Sequence, residues 1–226
     1  MTSALLPQAF WFRVAASCPK VEGMPRPGSK GALLDLPDAC VLPSLASLDG
    51  RDLWATVRAG WNAEGLGISI QAEGIPPGAL DADRPEGFAA VTLWIDTRDT
   101  RNVSRATRHC HRFEARLTLS PNGKSLSATV DQRPIARATA DAPLCSPDLL
   151  VSRASLSKSG WTLELFLPSG ALNGYDPETN RRLGFAYQVS DHQREDQFLG
   201  VGRDFPIGEN PSLWATLELK PCRRLP

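Results

Sequence analysis

Residues 61–74 read WNAEGLGISIQAEG, and the fold class turns on how this stretch is read. Leu66, Ile68, Ile70 and Ala72 alternate with Gly67, Ser69 and Gln71, so the apolar set lies on one face of a strand. A helix would instead place its apolar residues three and four apart. The run is therefore read as a half-buried strand. Asn62-Ala63-Glu64-Gly65 carries turn chemistry after LWATV (53–57), and the two runs together predict a hairpin.

The same period of two recurs along the chain. FAAVTLWID (88–96) aligns Ala89, Val91, Leu93 and Ile95. FEARLTL (113–119) aligns Phe113, Ala115, Leu117 and Leu119, and Pro121-Asn122-Gly123 then turns the chain into SLSATV. Later faces are Trp161/Leu163/Leu165/Leu167, Leu183/Phe185/Tyr187/Val189 and Leu213/Ala215/Leu217/Leu219. PSGALNGYDPETN (168–180) predicts a short helical turn followed by a loop. With 19 prolines and 18 glycines the chain favours turns over long helices. The expectation is an all-β fold, an antiparallel two-sheet β-sandwich occupying one domain, 1–226. An irregular proline-rich segment, about 18–48, is expected to wrap its edge.

The 25 basic and 25 acidic residues cancel, which argues against a broad basic surface for nucleic acid or a membrane. No run approaches the ~18 apolar residues of a membrane span, and the first 20 residues lack the pattern of a secretion leader. The five cysteines are scattered without a CxxC pair, which reads as reduced thiols in a cytoplasmic chain.

The order of these pieces resembles the family 9 carbohydrate-binding modules and the wider DOMON-like sandwiches. WNAEGLGISIQAEG resembles the family's hairpin, VTLWIDTRD its strand ending in aspartate, and GWTLELFLPSGAL its late strand and helical turn. LGFAYQVSD resembles the penultimate strand and LWATLEL the last. The resemblance spans about residues 50–220. It implies a sandwich of two antiparallel sheets and, in sugar-binding members, two tryptophans clamping a terminal sugar. By register those positions fall near Glu86 and Gly208, neither of them aromatic, and Thr92 stands where a carboxylate is expected. Gln188 and Asp191 fit the QVSD strand end. The resemblance therefore supports the fold, while the tryptophan clamp does not carry over.

Between 98 and 112, arginines recur at 98, 101, 105, 108 and 112. On a helix this three-four spacing would make a cationic stripe able to grip carboxylate or sulfate in bidentate fashion. On a loop the same residues would be solvated and paired with local acids. His109 and His111 share one face of a strand and, with His192 and a carboxylate, could hold a transition metal. No HExxH or paired-cysteine spacing supports that, so no metal is expected. Trp94 and Trp214 lie opposite the apolar faces of their strands, which makes each either a stacking platform or a core residue under a second layer. No nucleophile elbow, P-loop or dinucleotide motif is present. Haem, known in some DOMON-like domains, would call for a His/Met axial pair, and the only methionines are Met1 and Met24. No cofactor is expected. The reading is a non-catalytic module for a saccharide carrying anionic groups, contacted by Trp94, Asp96, Arg98, Arg112, Gln188 and Asp191. The alternative is a protein-interaction or structural sandwich without a sugar site.

Overall fold

Period-two alternation makes every strand two-faced, and the computed structural model stacks the apolar faces of two sheets. It describes residues 6, 8–28, 31–74 and 87–221. Among these, the strands are β1 (Ala15–Pro19), β2 (Ala55–Asn62), β3 (Gly65–Glu73), β4 (Ala89–Asp96), β5 (Cys110–Leu119) and β6 (Leu126–Arg133), followed by β7 (Val151–Leu156), β8 (Gly160–Pro168), β9 (Arg182–Asp191), β10 (Gln197–Phe198) and β11 (Ala215–Lys220). The larger sheet has the order β1-β11-β9-β4-β5-β6, with β10 added beside β9, and the smaller has the order β2-β3-β8-β7. Pairing is antiparallel except between β1 and β11, which run parallel. The helical turn read at 168–180 is a 3-10 turn, Ser169–Ala171.

The core lies between the sheets. Trp61, Leu66, Ile68, Trp161, Leu163 and Leu167 from the smaller sheet meet Leu93, Ile95, Phe113, Phe185 and Leu217 from the larger, all essentially inaccessible to solvent. Each such side chain contributes roughly 1.5–3 kcal/mol by leaving water. Their alternation in sequence is why these segments form strands.

The outer face of the smaller sheet departs from the half-buried expectation, because Gly67 and Ser69 of β3 are buried as well. The proline-rich segment covers Gly67 and borders Ser69. It follows the free edge of β2, where the Val21 N–H donates to the Trp61 carbonyl at 2.8 Å and the Leu42 N–H to that of Val57 at 2.8 Å. Between those contacts it crosses the sheet, packing Met24, Leu33 and Leu34 against Phe166. Gly67 allows the close approach: a Cβ there would lie 2.9 Å from Met24 Sδ.

One carboxylate pins this strap. Glu164 faces outward from β8 and accepts the Leu33 N–H at 2.8 Å and the Leu34 N–H at 3.0 Å. The Asn62 side chain adds a bond to the Met24 carbonyl at 2.7 Å. Glu164→Ala strands two buried N–H groups, each costing about 1–3 kcal/mol. Urea unfolding should therefore show a loss of about 2–6 kcal/mol, whereas an unchanged midpoint would mean that the strap holds without this carboxylate.

Candidate functional site

β4 runs through the middle of the larger sheet and turns Ala90, Thr92, Trp94 and Asp96 outward. Strand register places Gln188 of β9 on one side of Thr92 and Glu114 of β5 on the other, with Asp131 of β6 beyond. One step along the strands, Trp94 is flanked by Ala186 and Arg112, and Arg112 by Arg133. The result is a polar strip across the centre of the sheet, half open to solvent.

Ion pairs orient this strip. Glu114, with its side chain 19% exposed, pairs with Arg112 and lies 3.8 Å from Arg116 and 4.0 Å from Arg133. Arg133 also pairs with Asp131 at 3.0 Å. The Gln188 amide donates to Ser190 Oγ at 2.9 Å and to Asp196 at 3.2 Å, and Asp196 meets Arg203 at 2.5 Å. Pairs this accessible add little stability. What they do is hold planar donors and acceptors in place. Two buried donors side by side on the strip, Trp94 Nε1 and Arg112 Nε, find no partner among the described residues.

The structure gathers Trp94, Arg112 and Gln188 on this strip, but not as a stacking platform. Trp94 is 4% exposed and Trp214 is 7% exposed, both beneath the loops that carry Ala106, Ile135, Val201 and Ile207. The Trp214 ring N–H donates to the Ile207 carbonyl at 2.7 Å. The platform reading of these two tryptophans is thus corrected, because the second face of the sheet has its own apolar cover. Gly208 lies against the Trp94 ring, where a Cβ would be 3.5 Å from Trp94 Cζ2. Glu86 lies outside the described residues.

The other expected contacts sit at the two ends of the strands. Asp96 is 1% exposed and accepts the N–H groups of Arg98 at 2.9 Å and Thr100 at 2.6 Å. By capturing backbone donors in this way Asp96 starts a turn, and residues 97–109 form a loop rather than the cationic helix. The arginines of that loop diverge. Arg101 pairs with Asp99 at 3.2 Å and bonds Thr216, Arg108 reaches His109 at 3.4 Å, and Arg98 and Arg105 are exposed. At the far end Asp191 holds the N–H groups of Gln193 at 2.8 Å and Arg194 at 2.7 Å and pairs with the Arg194 guanidinium at 2.8 Å. Glu114 escaped the sequence reading, although its outward position follows from the Phe113/Ala115 alternation. Asp196 and Arg203 come from irregular segments that carry no periodic signal.

No family model matches the chain, and no curated protein matches it. Solved structures do match. A carbohydrate-binding module of family 9 from Caldicellulosiruptor kristjanssonii, in complex with glucose, aligns with a TM-score of 0.58 and 13% identity, over 94% of this chain and 98% of that one. A family 9 module from the same organism in complex with cellotriose aligns with a TM-score of 0.57 and 13% identity, again over 94% and 98%. The chain has the β-sandwich fold of the family 9 modules.

The histidines are not brought together. His192 Nδ1 lies 3.3 Å from the Phe88 carbonyl, at the start of β4, whereas His109 and His111 both approach the Asn173 carbonyl near the end of β4. His111 is 1% exposed and already satisfied. The Gln132 side-chain oxygen takes the Cys145 N–H at 2.8 Å, which turns its NH2 group to His111 Nδ1 at 3.1 Å. Nδ1 therefore accepts, and the proton resides on Nε2, facing the Asn173 carbonyl at 3.4 Å. Neither nitrogen is open to a metal.

Burial pushes the His111 pKa down to about 4, with His109 adding to the fall and the Asn173 carbonyl opposing it. The unfolded chain takes up this proton near pH 6.5 and the folded chain near pH 4, so the contribution of His111 is complete above about 6.5 and disappears as pH falls to about 4. Between pH 7.5 and 4.0 the wild type should lose about 3 kcal/mol more unfolding free energy than His111→Leu, in which this titration is absent. Equal losses in the two proteins would show that His111 does not bear the linkage.

Proposed function

We propose that the chain is a non-catalytic saccharide-binding module whose site is the outer strip of the larger sheet, centred on Thr92, Arg112, Glu114 and Gln188. The strip itself carries this reading: a fixed array of amide, carboxylate, guanidinium and hydroxyl groups on neighbouring strands. Sugar hydroxyls both donate and accept, and planar side chains held by their own partners meet them at low entropic cost. The fold likeness to sugar-complexed modules supports it.

A preference for acidic sugars follows from charge. Arg112, Arg116 and Arg133 surround Glu114 and Asp131, a local excess of one positive charge. Of the arginines between 98 and 112, Arg112 alone belongs to this group. A second reading, protein contact, draws on a separate observation: Trp11 is 67% exposed and Phe12 55%, with Leu48 also open. Such an apolar patch suits a protein partner.

Calorimetry against uronic-acid and neutral oligosaccharides of equal length tests the proposal. The acidic sugar should bind more tightly and should weaken as salt rises. Arg112→Ala should weaken it by about tenfold or more, as expected for a charge-assisted hydrogen bond, and Arg98→Ala should leave it unchanged. Saccharide binding lost in Trp11→Ser but kept in Gln188→Ala would move the site away from the strip.

A further inference from the structure

The outer face of the smaller sheet carries a second polar surface, separate from the strip. Register aligns two rows across all four strands: Arg58, Ser69, Glu164 and Arg153, and beside them Thr56, Gln71, Thr162 and Ser155. Most of this face borders a trough of about 640 Å³. The strap that covers one end of the sheet forms its wall and is held at separate points. Glu164 holds Leu33 and Leu34, Arg153 bonds the Gly31 carbonyl, and Arg58 meets Asp38 at 2.9 Å. Asp35, on the rim, adopts a left-handed backbone with φ of 52°, and its carboxylate pairs with Arg26 at 2.8 Å.

An open antiparallel sheet face is normally just solvated. Three features set this one apart. Its wall is tied to the floor rather than loose. The hydroxyls of Ser69, Thr162 and Ser155 make no hydrogen bond among the described residues. The charges bordering the trough also cancel, Arg58 and Arg153 against Asp35 and Glu164. The ligand such a lining suits is neutral and able both to donate and to accept along its length. Side chains of one row repeat at the strand spacing of ~4.8 Å, close to the length of one pyranose residue. An extended sugar chain lying across the strands over Gln71, Thr162 and Ser155 thus meets one polar side chain per ring.

We infer that this trough is a second saccharide site, selective for a neutral oligosaccharide, on the sheet opposite the strip. The two faces point away from each other, so one module can hold two glycan chains at once. The trough's lining differs from the strip's in charge, and its occupancy does not depend on the strip's.

Amide-resolved NMR titration of the full chain with cellotriose, xylotriose, mannotriose and maltotriose tests the inference. At least one of these should shift Ser69, Gln71 and Thr162 together. In the double variant Ser69→Ala/Thr162→Val, which removes two hydroxyls with little change of shape, those shifts should need about fivefold or more additional sugar. Circular dichroism of the variant would confirm that its fold is kept. If all four sugars leave Ser69, Gln71 and Thr162 unshifted, or if the double variant titrates like the wild type, the second site is overturned. Shifts confined to Thr92 and Gln188, or silence on both faces, would overturn the trough, while the strip is decided separately by the uronic-acid titration.

Discussion

A sheet that buries one face against its partner still has a second face, and in this protein both second faces carry side chains that water disfavours. Phe166 of β8 lies outside the smaller sheet, and Trp94 and Ala186 lie outside the larger. The rest of the structure follows from covering them. On the smaller sheet the cover is the proline-rich strap, a segment with too little regular structure to hold itself. It is anchored by Glu164, a buried carboxylate whose desolvation is offset by two backbone donors. On the larger sheet the cover consists of the loops that bring Ala106, Ile135, Val201 and Ile207 down on Trp94 and Trp214.

Neither cover is complete, and the uncovered remainder is where ligand chemistry becomes available. On the larger sheet the loops stop at Trp94, so Thr92, Glu114 and Gln188 stay half open. On the smaller sheet the strap bonds to the row that runs from Arg58 to Arg153 and leaves the row from Thr56 to Ser155. Both remainders are polar for one reason: the inward partner of each strand residue is apolar, and its outward neighbour was free to be anything soluble. The two surfaces differ in charge balance.

The crowd of arginines between 98 and 112 shows how a sequence cluster is dispersed by folding. Asp96 starts the turn after β4 by accepting the N–H groups of Arg98 and Thr100, and Asp99 draws Arg101 and, from β9, Arg182 toward itself. Arg112 is already in β5 and belongs to a different group, around Glu114. Neighbours in sequence thus end in separate electrostatic neighbourhoods.

The sequence by itself determined the alternating strands, the hairpin at 62–65 and the sandwich, because a period of two admits only a two-faced strand and an apolar face must find another. It also identified Trp94 as a residue facing away from that core. Only tertiary structure decided whether an outward residue is exposed. Trp94 and Gln188 have the same alternation pattern, yet loops from distant parts of the chain bury the first and leave the second half open. Likewise, period and spacing could not tell that Asp96 and Asp191 would be occupied by backbone N–H groups of their own turns, or that Glu114 would sit among three arginines. Alternation is a local property of one strand, whereas cover, pairing and charge balance depend on which other segments come to lie across it.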